Sequence, residues 1–319
     1  MIMKLISNII FSTSLSFVSI SHAQTYLPYP EGKLTGEQIA QQAFAVSHGK
    51  FVSTFISKKH NKDIAKVVNR TTLEKRKSGR KPTVNTFEIY TKNTPDDAST
   101  ESMQMAFITS GKIKGMGILN ESFKDKSKAG MLSFWLPALR RIRQVNEPAH
   151  EDTWIGTNLT YGELILRRPE HEDHELIGED VFNDCLLTMQ LSPKEINRFT
   201  RSLPDAQCDH KGKEVYIIKS TTKFESWWYD YHITEIDKKT FAPYRTVYFK
   251  NDKKIKTVNT DWQSLGDVDP RINYQRYIYA ITHSTGVDSL VFIPENTVSI
   301  NEDKPNSFWS IKTLKKRRR

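Results

Sequence analysis

Residues 130–164 read GMLSFWLPALRRIRQVNEPAHEDTWIGTNLTYGEL, and their reading decides the fold. The segment 131–136 is a strand-like apolar run closed by Pro137, which cannot donate to a β-ladder. A basic segment follows, Arg140-Arg141-Ile142-Arg143, and then residues 154–161 (WIGTNLTY) gather aromatic, small and hydroxylated side chains. The stretch holds no nucleophile paired with a base and no metal cluster, so its reading is architectural. Residues 131–136 are expected as a central wall strand and Arg140 to Arg143 as a basic edge. Residues 154–164 are expected to continue the wall or form its rim.

The sequence on both sides is mostly strand-like. VNTFEIYT at 84–91 alternates at period two, further strands are expected over 64–76 and 102–109, and 115–119 is a permissive glycine-containing run. Later strands are expected over 175–191, 214–220 and 227–233, the last with Trp227, Tyr229, Tyr231 and Ile233 on one face. YRTVYFK at 244–250 pairs through an Asn251-Asp252-Lys253 turn with 254–262, and 274–283 pairs with 288–293. Two helices stand out. Thr35 and Gln38 form a capping box for a helix stopped by Gly49. Ser192-Pro193 opens a second, short one over 194–203. Ten or eleven strands with two or three short helices define a mainly β chain. A sheet of that size closes or curls strongly and must cover one face.

Composition sets the setting. The chain has 319 residues and a formal charge of +10. The surplus is spread along the sequence, which suggests a generally basic surface, and export argues against a nucleic-acid partner. Lys4, the apolar and hydroxylated run 5–20 and Ser21-His22-Ala23 form a signal-peptide pattern with cleavage after Ala23. The run is too short and Ser-rich to span a bilayer well. No Cys follows the cleavage site, so the mature chain carries no lipid-anchor signature. A periplasmic location with one domain over 24–314 and a basic tail at 315–319 is expected.

The two cysteines, Cys185 and Cys208, suit a disulfide in an oxidising compartment, contributing roughly 3 kcal/mol by the chain-entropy estimate and stapling an insertion at 192–208. Residues 170–175 (EHEDHE) are rich in potential metal ligands, but no H-E-x-x-H helix is present. They read as a solvated acidic loop or strand edge, and a metal-dependent enzyme built on His171 and His174 is the weaker reading. No cofactor and no catalytic residue are expected.

The order of segments resembles a known group. Residues 135–143 (WLPALRRIR), 154–164 (WIGTNLTYGEL) and 231–243 look like three motifs of the outer-membrane lipoprotein-sorting family, the LolA-like group associated with RND-type exporters. This chain has Trp154, Thr157 and Asn158 where the family pattern has Phe, Ser and Asp. The resemblance implies a strongly curved, incomplete antiparallel β-barrel with short helices over its concave face. It also implies a periplasmic carrier whose cavity holds lipoprotein acyl chains or another lipid, with an inner-membrane RND-type exporter as partner. Phe134, Leu136, Trp227, Tyr229 and Tyr231 are the expected cavity lining. Arg140, Arg141 and Arg143 are expected to meet lipid phosphates or an acidic partner, with peripheral membrane contact. The alternative is an envelope-stress sensor or regulatory binding module on the same half-barrel.

Overall fold

The computed structural model describes residues 27–70, 80–94, 97–125, 127–266 and 268–316. The expected signal peptide lies outside the described residues, as do 71–79, 95–96 and the last three residues of the tail. Helix α1 (Gly36–Ser47) begins at the expected capping box: Gln38 N–H donates to Thr35 Oγ1, and Thr35 N–H donates to Gln38 Oε1. Fifteen strands are described: β1 (Thr54–Ser57), β2 (Ala65–Arg70), β3 (Thr83–Asn93), β4 (Thr100–Ile108), β5 (Gly117–Phe123), β6 (Met131–Leu136), β7 (Arg141–Asn146), β8 (Glu172–Val181), β9 (Glu214–Thr222), β10 (Tyr231–Asp237), β11 (Pro243–Lys250), β12 (Lys253–Ser264), β13 (Asn273–Thr282), β14 (Asp288–Phe292) and β15 (Val298–Ile300). A short helix α2 (Ile311–Lys316) ends the described chain.

All strands join one antiparallel sheet in the order β7-β6-β5-β4-β3-β2-β14-β13-β12-β11-β10-β9-β8, with β1 and β15 attached beside β3. Two meanders meet at the β2–β14 pair, where Val67 faces Val291 and Val68 faces Leu290. The outermost strands, β7 and β8, do not pair with each other, so the curved sheet is an open, incomplete barrel. Register shifts at Leu176/Gly178, Glu235/Ile236, Tyr248/Phe249 and Asp261/Trp262 concentrate in the β8–β13 half, where bulges increase twist and bend strands. The β11–β12 turn is the expected one, with Asn251 and Asp252 at φ 49 and 55.

The two faces carry different covers. Residues 182–213 lie across the outer face of β12–β14 and β2: Tyr277 OH donates to the Leu186 carbonyl, and Arg70 bonds both the Gln190 carbonyl and buried Asp288. The Cys185–Cys208 disulfide closes this segment. The C-terminal segment covers the other half, where Trp309 and Leu314 pack with Tyr90, Met105, Leu119 and Trp135. The inner face is covered by α1 and by residues 147–171.

Several sequence expectations are corrected here. Strand β6 is one place in from an open edge, not a central wall, although β7 is the basic edge expected. Residues 154–164 are neither wall nor rim; they lie on the inner face. Strand β8 ends at Val181, so Cys185 stands in irregular chain. Residues 194–203 form two successive turns rather than a helix. Ser192 and Glu195 do make cap-like bonds, but Asn197 accepts from Phe199 N–H and its own N–H donates to Thr200 Oγ1. A second local cap inside the segment competes with helix propagation. The 227–233 strand begins only at Tyr231. Tyr231 and Ile233 face outward, Tyr231 stacking on Phe249, while His232, Thr234 and Ile236 are the inward residues.

Candidate functional site

The inner cover starts from the segment that opened the reading. Thr157 Oγ1 donates to the Trp154 carbonyl, and a bridge between Thr153 and Thr160 closes a small loop. Asn158 staples that loop to the sheet. Its backbone N–H donates to Ser289 Oγ, and its side-chain amide reaches the carbonyls of Ala280 and Val287 at 3.2 and 3.0 Å. Trp154 lies edge-on to Phe87, 6.2 Å between ring centres. Thr160 and Glu163 then form a reciprocal cap, and buried Lys256 of β12 holds Glu163 at 2.8 Å. A π-type turn, Gly162–Leu166, follows. Gly162 is required there, because a Cβ would sit 2.5 Å from the Trp228 ring and 2.9 Å from the His150 carbonyl. The 147–171 segment is thus a plug seated in the half-barrel.

Asn158→Ala removes that residue's side-chain bonds to the sheet and is expected to cost about 2–3 kcal/mol. Limited proteolysis should then cut within 147–170 before the sheet unfolds; an unchanged cleavage pattern would contradict the staple.

Helix α1 lies beside the plug. Its first residue, Gly36, packs on the backbone of β8: a Cβ there would sit 2.3 Å from the His174 carbonyl oxygen. Glu37 accepts from His174 N–H, so α1 also caps this open edge. Ile39, Ala43 and Val46 enter the core with Ile218 and Ile236. Between helix, plug and sheet remain two cavities of about 140 and 160 Å³. The same six residues line both and separate them: Phe44 and Ser47 of α1, its C-cap residue His48, Leu164 and Arg168 of the plug, and Gln275.

The first cavity has a polar floor. Glu172 is buried and accepts from Tyr229 OH at 2.7 Å, with His232 Nε2 at 3.1 Å and Arg167 Nε at 3.7 Å. Burial opposes ionisation of Glu172, but His232 and Arg167 outweigh it and hold the carboxyl well below the usual carboxylate range. Burial lowers His232, with the Glu172 carboxylate opposing. His232 continues through Thr234 to Thr246. The second cavity is walled by Phe55, Ile89, Trp262, Tyr274 and Ile293, with Lys50 and Glu101 paired at 3.1 Å.

His48 stands at the partition. Its ring nitrogens face the Phe44 carbonyl at 2.9 Å and the plug's Ile165 carbonyl at 3.3 Å. Burial pushes the imidazole down to about 4, Lys50 acting the same way and the two carbonyls opposing. The folded protein therefore holds fewer protons here than the unfolded chain between about pH 6.5 and 4. This contribution is intact above pH 6.5 and declines as pH falls, by about 3 kcal/mol at pH 4. Thermal midpoints measured from pH 7 to 4 should fall, and His48→Gln should make the decline shallower; an equally steep decline in the variant would contradict the assignment.

None of the expected lining residues Phe134, Leu136, Trp227, Tyr229 and Tyr231 lines either cavity. Phe134 faces inward beside the 159–166 part of the plug cluster, and Tyr229 is fully buried under the polar floor. Trp227 and Trp228 stack at 4.5 Å in the loop before β10. Arg141 and Arg143 pair opposite Leu136 and Phe134, at the open edge. Among the described residues, no group of three or more His, Cys, Asp or Glu is placed to hold a metal; His174 instead meets Ser220 Oγ and the Pro169 carbonyl. Phe44, beside the apolar face of α1, and His48, at its C-cap, carried no sequence signal beyond helical spacing.

A lidded, open antiparallel half-barrel defines the class. Its fold matches that of a domain named for outer membrane lipoprotein sorting from Vibrio parahaemolyticus, at TM-score 0.63 and 13% identity over 88% of this chain and 98% of that one. A DUF1329 family protein from Desulfovibrio piger matches equally, at TM-score 0.63 and 13% identity over 88% of this chain and all of the other. A LolA superfamily protein from Nitrosomonas europaea is more distant, at TM-score 0.49 and 11% identity over 88% of this chain and all of that one. A family model described only as "Uncharacterized protein" matches residues 99–201. No curated protein matches by sequence. The fold is that of the outer-membrane lipoprotein-sorting domain and the DUF1329 protein. Among the described residues, no helix is long and apolar enough to cross a membrane.

Proposed function

We propose that the protein is a periplasmic carrier that holds an acyl chain of a lipoprotein or other lipid between the inner face and its lid. One observation carries this reading: two adjoining cavities lie under a 12-residue helix and a stapled plug, separated by six side chains. Each cavity alone is smaller than the roughly 300–1,000 Å³ of most ligand pockets. Displacing the partition joins them, so loading requires the lid to shift.

The walls suggest an amphiphile. The apolar wall of the second cavity suits a chain, and the Arg167–Glu172–His232 floor suits a polar end. An exposed CH2 costs about 0.8 kcal/mol, so a chain in transit between membranes needs such cover. Titration with a fluorescent long-chain acyl probe tests this reading. Saturable binding of one probe per protein is expected, and the absence of saturable binding would overturn the proposal.

A further inference from the structure

The positive charge that looks dispersed in the sequence is concentrated by the fold. Residues 109–119, 132–146 and 304–319 carry twelve Lys and Arg and no Asp or Glu. The rest of the chain, by the same count, has two more acids than bases. The sheet brings 109–119, 132–146 and the described part of the third segment, 304–316, to one corner. The 109–116 loop leads into β5, and a Cβ on its Gly115 would sit 3.3 Å from Pro137 Cγ in the β6–β7 turn. Leu314 of α2 packs directly on Gly117, whose partner across the ladder is Trp135. Lys112, Lys114, Arg140 to Arg143 and Lys315 therefore surround the same end of β5–β7.

These cations have no internal task. Among the described residues, Lys112, Lys114, Arg140, Arg141, Arg143 and Lys315 make no ion pair. Leu139, at the tip of the turn between them, is 55% exposed. Arg140 is held at φ 50, a conformation in which glycine is unstrained and a side chain is disfavoured. Six unpaired cations, on the turns before β5 and before β7, on β7 itself and on α2, spread around an exposed leucine and complement a flat anionic surface better than an extended peptide.

We infer that this corner docks the protein on a bilayer rich in anionic phospholipid, with Leu139 entering the headgroup layer. Docking there presents the open β7 edge, where Arg141 and Arg143 lie on the inner face, to the membrane. The inference does not depend on the carrier reading; a protein that binds no acyl probe can still bind vesicles.

Co-sedimentation with vesicles of phosphatidylcholine, with and without phosphatidylglycerol, tests it. Binding to the anionic vesicles only is expected, weakening as salt rises. Replacing Lys112, Lys114, Arg140, Arg141 and Arg143 by Gln should weaken binding at least tenfold. Lys253→Gln with Lys254→Gln, at the exposed β11–β12 turn, should leave it unchanged. Arg140→Gly should weaken binding while leaving the thermal midpoint equal or higher, which separates docking from folding. Equal binding to neutral vesicles, undiminished binding by the five-residue variant, or binding to polyglutamate but not to vesicles would each overturn the inference.

Discussion

Glu172→Ala should lower stability by about 3–5 kcal/mol, because it leaves the Arg167 guanidinium in the half-barrel without its carboxylate. Tyr229 OH also loses its acceptor, and His232 its charged partner. The thermal midpoint should fall by roughly 10 °C. The second half of the expectation concerns coupling. In the Glu172→Ala, Arg167→Leu double variant no uncompensated cation remains, so at least half of the lost stability should return. A double variant less stable than the single one would show that Arg167 does not depend on Glu172. The network joins the end of the plug to β8 and β10, so the same substitution should also loosen the lid, read as faster amide exchange over 160–168.

The second large effect is on ligand binding. Ala40 lies on the α1 face that lines the first cavity. Ala40→Trp places an indole in a space of about 140 Å³ without altering the capping box or the plug's staples. Affinity for an acyl probe should drop at least tenfold while the β-sheet circular dichroism is retained. Unchanged affinity in a folded Ala40→Trp protein would place the ligand elsewhere.

Much of the sheet was legible because its cause is local. The alternation in 84–91 marks β3, the Asn251-Asp252 turn sets the β11–β12 hairpin, and Thr35 with Gln38 sets the start of α1. The two cysteines pair as expected. What failed depends on partners distant in sequence. Residues 154–164 are as rich in aromatic and β-forming side chains as a strand, yet Asn158 finds its acceptors at Ala280 and Val287. Trp227 and Trp228 alternate with neighbours as a strand would, but they stack on each other and on Phe224 instead of entering the ladder. The candidate site was the least legible part. Its walls are Phe44, His48 and Leu164, single residues on a helix and a loop, and only the packing of one against the other creates a cavity between them. The basic corner was hidden for the same reason, since strand order unites three segments that composition treats separately.

The most direct test of the central claim is native mass spectrometry of the protein purified from the cell envelope, followed by lipid extraction, for the wild type and Ala40→Trp side by side. The carrier account predicts a wild-type species with one bound acyl-containing molecule and little or none on the variant. Wild-type protein that emerges folded and lipid-free, or a variant carrying the same lipid load, would contradict it.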